Sequence, residues 1–196
     1  MSPAEPLILF YAPGASSMAP HIALHEIGSP FEGRPVSFRK DENRTPEFLA
    51  LNPEGKVPLL LIGGRPLTEV AAILFYLARR RPGAGLWPDD LEAQAHVVSW
   101  MSFIASSVHP ARRQGLEHAR EVYALADGRL GGGWAAGAYS VADIHLFRLF
   151  WRFRNSLHPP AGEFPNLEAH YQRMMARPAV RKTLEIEAAA GYELPA

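Results

Sequence analysis

The segment Arg81-Pro82-Gly83-Ala84-Gly85-Leu86-Trp87-Pro88-Asp89-Asp90 divides the chain into two kinds of pattern. Its prolines and glycines interrupt every helical or strand period. On its N-terminal side, short strand-like runs alternate with helical ones. On its C-terminal side only helical spacing remains. A chain patterned in this way is expected to form a small α/β domain over residues 1–80, a linker over 81–90 and an all-helical domain over 91–196.

Within the first part, the apolar run Leu7 to Tyr11 reads as a strand. Ala19 to Glu26 reads as a helix, with Ile22, Ala23 and Ile27 on one side and Gly28 as its stop. Arg34 to Phe38 alternates polar and apolar residues as a second strand. Thr45-Pro46 opens a short helix, since a proline in the first turn loses no hydrogen bond. Leu59 to Ile62 and Arg65 to Leu67 are joined by Gly63-Gly64, a hairpin turn. Thr68-Glu69 then leads the helix Val70 to Arg80. The order βαβαββα predicts one sheet covered by helices. Beyond the linker, helices are expected at Leu91–Val108, Ala111–Leu125, Val141–Arg154, Leu167–Arg177 and Pro178–Ala190, with loops around Gly131-Gly132-Gly133 and Ala135–Ala138.

Several function classes drop out on composition. The chain has no cysteine, which excludes disulfides, thiolate metal sites and a cysteine nucleophile. A formal net charge of zero and a pI near 7.1 give no electrostatic footprint for nucleic acid. No window reaches the roughly 18 uninterrupted apolar residues of a membrane span. Met1 to Pro6 carry no basic opening of a secretory signal, so a cytoplasmic location is expected. His21 and His25 lie four apart on one helix, but no acidic residue accompanies them at a metal-binding spacing, and no metal is expected.

Four segments carry a family resemblance: YAPGASSMAPHIAL (Tyr11 to Leu24), NPEGKVPLL (Asn52 to Leu60), LTEVAAILFYL (Leu67 to Leu77) and GAYSVADIHLF (Gly137 to Phe147). In this order and spacing they resemble the cytosolic glutathione transferases, and most of all the bacterial beta-class branch. The resemblance covers nearly the whole chain. It implies a thioredoxin-like N-terminal domain followed by an all-helical C-terminal domain, a homodimer, and glutathione as co-substrate.

The resemblance also implies roles for individual residues. Val57, after Lys56, would lend its backbone to the cysteinyl part of glutathione, with Pro58 in the cis form holding that edge open. Glu69 would receive the γ-glutamyl ammonium, a charge-assisted contact. A first-turn glutamate also interacts favourably with a helix dipole on its own account. The next position departs from the pattern. Family members usually carry a serine or threonine there, and this chain has Val70, so only a backbone N–H remains for the γ-glutamyl carboxylate.

Ser16 falls where the beta class has its cysteine, and Ser17 is the serine after it. A serine cannot form a mixed disulfide; it can donate a hydrogen bond to a thiolate. Ser16, Ser17 and Tyr11 are the candidate donors, with helix capping as the alternative use of the serines. His109 resembles the histidine that beta-class members bring from the helical domain toward the sulfur, although Pro110 stands where a lysine is usual. Ser140-Val141-Ala142-Asp143 reads as a structural capping box. Arg112, Arg113, Trp151, Arg152, Phe153 and Arg154 are candidates for a substrate-pocket or dimer face, with no catalytic role.

These readings lead to a glutathione transferase that adds the thiolate to small hydrophobic electrophiles. The rival readings are a binding or scaffold protein that kept the fold, and a glutathione-dependent isomerase or dehalogenase.

Overall fold

A computed structural model of the chain describes residues 5–193. Strand β1 (Leu7–Tyr11) is followed by helix α1 (Met18–Glu26), strand β2 (Glu32–Pro35), helix α2 (Pro46–Leu51), strands β3 (Leu59–Ile62) and β4 (Arg65–Thr68), and helix α3 (Val70–Arg80). The sheet order is β2-β1-β3-β4. β1 runs parallel to β2, while β3 is antiparallel to both β1 and β4. This is the expected βαβαββα arrangement, a thioredoxin-like unit.

Alternation along β1 assigns its two faces. Ile8 and Phe10 join Phe48 of α2, Val57, Leu59 and Leu61 in one apolar cluster. Leu7, Leu9 and Tyr11 are buried on the other face, where the Tyr11 ring lies 4.7 Å from that of His21 in α1. Thr45 caps α2 by accepting a hydrogen bond from the Phe48 amide at 3.3 Å, and Pro46 occupies the first turn.

The second strand lies earlier than the alternation of Arg34 to Phe38 predicts. Its partner β1 ends at Tyr11, so the ladder closes at Pro35 with one further bond from Val36 N to the Tyr11 carbonyl at 2.8 Å. Val36 and Phe38 fill the apolar cluster from the loop beyond the strand. Their alternation reports burial, not pairing.

The second unit is helical. Helix α4 (Leu91–Phe103) widens into a π turn over Ile104–Val108, followed by the single turn α5 (His109–Ala111) and a 3₁₀ turn at Arg112–Gln114. The expected continuous helix to Val108 is altered because Pro110 has no N–H for the α-helical ladder, and the backbone widens just before it. Gly115, at φ 104°, then restarts the chain, and α6 spans Leu116–Leu130 instead of Ala111–Leu125. Helices α7 (Val141–Leu157), α8 (Pro165–Met175) and α9 (Pro178–Ala190) follow.

α7 is buried without interruption from Val141 to Phe153. Its start is fixed by Asp143, which accepts from Ser140 N at 2.9 Å and from Ala135 N at 2.8 Å, while Ser140 Oγ accepts from Ala142 N. The capping box is therefore formed, as the sequence implies. Tyr123 of α6 stacks on Phe153 at 4.1 Å and donates to the Leu149 carbonyl, tying α6 to α7.

Two compact units result: one runs to Leu77 and resumes at Ala179, and the other spans Ala78–Pro178. α9 thus groups with the α/β unit, although its spacing alone places it in the 91–196 helical domain. The reason is polar as well as apolar. Glu187 is fully buried and accepts hydrogen bonds inside the first unit, and Glu193 accepts from Ser37 Oγ and Arg39 N.

Candidate functional site

The strand register brings three chain segments to one end of the sheet. Phe10 pairs with Leu59, and Leu59 pairs with Thr68. The turn after β1, the Val57-Pro58 step before β3 and the Glu69-Val70 step after β4 therefore emerge side by side. Sheet ends of this kind, where loops converge on a rigid frame, are where α/β proteins place their ligands.

The turn after β1 holds the two serines in different roles. Gly14, at φ 75°, turns the chain, and the Ala15 amide bonds back to the Ala12 carbonyl at 2.9 Å. Ser17 is fully buried; its hydroxyl accepts from Ala12 N at 3.1 Å and donates to Ala12 O at 3.2 Å. It clamps the turn and gives α1 no side-chain cap. Ser16 instead reaches across to the neighbouring segment, its hydroxyl donating to the Val57 carbonyl at 3.0 Å.

Tyr11 is turned to the opposite face of the sheet. Its ring lies against His21, and burial followed by the charge of Glu187 pushes its phenol pKa up. The structure does not bring it to Ser16 and Val57.

The Val57 segment is braced by two asparagines. Asn52 Nδ2 donates to the Lys56 carbonyl at 2.8 Å, and Asn43 Nδ2 donates to the Gly55 carbonyl at 2.7 Å. Gly55 sits at φ 62°, where a Cβ would come within 2.9 Å of the Asn43 carbonyl, so the approach requires glycine. The Val57–Pro58 peptide is cis. Lys56 pairs with Glu54 at 2.6 Å on the exposed side. With the loop braced from behind, the backbone of Val57 is presented at the sheet end.

Glu69 is exposed and adopts φ 68°, a left-handed conformation that costs a non-glycine residue of order 1–3 kcal/mol. Its carbonyl accepts from Ile73 N at 3.0 Å, so the strained residue forms the entry to α3. Val70 is nearly buried and offers no side-chain hydroxyl.

His109 belongs to the second unit, at the end of the π turn. Loss of water around its ring, then Arg148 and Arg113, push its pKa down to about 4, so the imidazole is neutral near pH 7. His145 on α7 is fully buried and pushed down to about 3, by burial first and then by His109 and Arg148. Among the described residues no group of three His, Cys, Asp or Glu side chains is placed to hold a metal ion.

Two contributors, Asn43 and Glu187, lay outside the sequence reading, and Asn52 entered it only as the first residue of its motif. The asparagines flank the Val57 segment, and their turn-forming character was the available signal. Glu187 accepts from Gly14 N at 2.8 Å and pairs with His21 Nδ1 at 2.9 Å. No local pattern announces a partner more than 160 residues away.

The structure thus brings Ser16, the Val57–Pro58 step and Glu69 to one end of the sheet of a thioredoxin-like unit, and a helical unit accompanies it. Residues 5–79 match the family described as "Glutathione S-transferase, N-terminal domain", and residues 106–178 match "Glutathione S-transferase, C-terminal domain". The chain belongs to the glutathione S-transferase family. It is 31% identical to glutathione S-transferase GST-4.5 of Xanthomonas campestris pv. campestris, over 91% of this chain and 98% of that one. Among solved structures, a glutathione transferase from Methylococcus capsulatus superposes with a TM-score of 0.84 at 31% identity, covering 93% of this chain and 99% of that one. A sphingomonad glutathione S-transferase complexed with glutathione gives 0.81 at 34% identity, covering 92% and 98%.

Proposed function

We propose that this chain joins the thiolate of glutathione to small hydrophobic electrophiles. The reading rests above all on the hydrogen bond from Ser16 to the Val57 carbonyl. It puts a hydroxyl donor beside the backbone edge on which the cysteinyl part of glutathione is expected to lie. Val57 N–H and C=O pair with that part as a short added strand. Glu69 receives the γ-glutamyl ammonium, and the amide of Val70 meets the carboxylate. Lys56 lies at the rim of the same loop.

A thiol such as glutathione's has a pKa near about 8.5. Lowering it by about two units requires about 2.7 kcal/mol of preference for the thiolate. The Ser16 hydroxyl and the N-terminal dipole of α1 together supply stabilisation of that order. The thiol proton leaves to solvent, the thiolate attacks the electrophilic carbon, and the leaving group departs with its electron pair. For His109, a neutral imidazole in the helical unit, the family resemblance is the support for a role at the sulfur. Ser17 serves by holding the turn.

The family resemblance supports a cytoplasmic homodimer with a detoxifying role. Calorimetric titration with glutathione, repeated in buffers of different ionisation heat, tests the reading. Saturable binding with proton release, and turnover of an aryl halide, are expected. No binding at millimolar glutathione would rule it out.

A further inference from the structure

Helix α7 carries His145, Arg148 and Arg152 at spacings of three and four residues, which places them on one face. All three are buried. α7 packs against the π turn, and the chain leaving that turn brings His109, then Arg112 and Arg113 of the 3₁₀ turn. Basic side chains of two segments of the helical unit therefore gather in one place.

These groups are close enough to act on one another. His145 is pushed down to about 3 by burial, then by His109 and Arg148. Arg152 is pushed down to about 10 by burial, then by Arg112, and is still a guanidinium at neutral pH. Burial pushes the Tyr123 phenol up, and Arg148 and Arg112 act against it, so both arginines reach the hydroxyl that donates to the Leu149 carbonyl of α7. The cluster runs from solvent inward: Arg113 and His109 are exposed, Arg112 is half-buried, and Arg148 and Arg152 are buried.

The charge is not balanced locally. Among the described residues neither Arg112 nor Arg113 makes an ion pair. The acids of the helical unit that are not exposed are engaged elsewhere: Asp127 with Asn166 and Leu167 N, Asp143 with Ser140 and His170, Glu163 with Arg120, and Glu168 with Arg154. Arg112 Nε and His145 Nδ1 are buried atoms with no hydrogen-bond partner. Buried polar atoms are ordinarily paired, and a guanidinium N–H can only donate, so the partner that suits this cluster is an oxyanion.

We propose that the cluster binds the carboxylate of the electrophile, so that the acceptor of the proposed reaction is an organic acid with an apolar body and not a neutral molecule. Arg112 and Arg152 offer the planar forks that match two carboxylate oxygens. Arg148 adds charge from the same face of α7, and Arg113 draws the anion in from solvent. Assigning the anion to the electrophile rests on the transferase reading; carboxylate binding by the cluster does not.

The reactive probe is 4-chloro-3,5-dinitrobenzoate, and 4-chloro-3,5-dinitrobenzamide is its neutral counterpart. In both, the glutathione thiolate attacks the chlorine-bearing carbon, a C–S bond forms, and chloride leaves with the electron pair of the broken C–Cl bond. The unreactive probe is 3,5-dinitrobenzoate, titrated by calorimetry into the full chain with and without saturating glutathione. The kcat/KM, divided by the uncatalysed rate, should be about tenfold or more higher for the carboxylate than for the amide. One saturable dinitrobenzoate site per chain, retained in glutathione, is expected. Arg112→Gln should lower the carboxylate-to-amide ratio about tenfold, mainly through KM. Arg112→Lys keeps the charge, loses the fork and should fall between. Arg112 lies in a partly exposed turn, and thermal melting checks that each variant is folded. Equal turnover of the two acceptors, or a ratio that Arg112→Gln leaves unchanged, would overturn the proposal and leave the transferase reading standing. Displacement of dinitrobenzoate by glutathione, or by an equal concentration of inorganic phosphate, would overturn it too. If glutathione does not bind and neither acceptor turns over, the transferase reading fails and the assignment to an electrophile fails with it. Absence of saturable dinitrobenzoate binding would overturn the anion site in either case.

Discussion

Replacing Glu187 with alanine tests whether the last helix holds the turn that carries Ser16. The carboxylate is fully buried and accepts from Gly14 N at 2.8 Å and from His21 Nδ1 at 2.9 Å. Alanine leaves both donors buried and unmatched, at about 1–3 kcal/mol each. With the cavity left by the missing side chain, a loss of about 3–5 kcal/mol is expected, comparable with breaking other buried polar pairs. For a chain of this size, that is a fall in Tm of about 6–20 °C. Glu187→Gln keeps the shape and one acceptor and should cost about 1 kcal/mol. Urea denaturation at pH 7.5 measures both, and glutathione titration of the folded variants asks whether the turn still presents Ser16. Affinity should fall with alanine and largely survive with glutamine. An alanine variant within about 1 kcal/mol of the parent would refute the reasoning, since two orphaned buried donors cannot be that cheap.

The two serines should separate. Ser16→Ala should lower kcat/KM about 10–100-fold and raise the pKa of bound glutathione, read from thiolate absorbance, because one donor to a charged sulfur is lost. Ser17→Ala should reduce stability by about 1–2 kcal/mol with the bound thiol's pKa unchanged, measured by denaturation beside the same absorbance titration. Val70→Ser restores a hydroxyl at the start of α3 and should tighten glutathione binding about tenfold, by calorimetry. Stability should fall on acidification below about pH 6.5 toward 4. The folded-state values of His145 and His25, about 3 and about 4, lie below the unfolded one, so the unfolded chain binds more protons across that window. His145 alone accounts for about 3 kcal/mol by pH 4, and His145→Gln should flatten the slope of urea midpoint against pH.

The fold was legible where local chemistry and tertiary structure agree. Leu59 to Ile62 is a continuous apolar run because both its faces are covered, and Gly63-Gly64 supplies the positive φ of its hairpin. The capping box at Ser140 and Asp143 was legible for the same reason, since all its parts lie within four residues. The errors came where a distant partner decides. Val36 and Phe38 alternate like a strand, but their strand partner had already ended. Pro110 and Gly115 sit in a helical pattern whose apolar spacing survives the π turn and the restart. α9 looks like one more helix of the bundle, and only the burial of Glu187 explains its place beside α1.

The site divides along the same line. Three of the four motifs located the sheet end, because the residues at each step, Ser16, Val57-Pro58 and Glu69, are fixed by the backbone that must converge there. What one hydroxyl does was not legible, since two adjacent serines have the same chemistry and different surroundings. Ser17 is buried against the Ala12 backbone, where both its donor and acceptor are satisfied, and a ligand has nothing to gain from it. Ser16 is only partly buried, and its proton points to a carbonyl with a second lone pair. When a ligand amide donates to Val57, the carbonyl can keep both partners or release the serine. A serine with no base beside it stays protonated and can only donate. Release toward a thiolate therefore exchanges a neutral hydrogen bond for a charge-assisted one, roughly twice as strong. The missing cysteine thus removes disulfide chemistry, and on the proposed reading Ser16 is the donor offered to the sulfur.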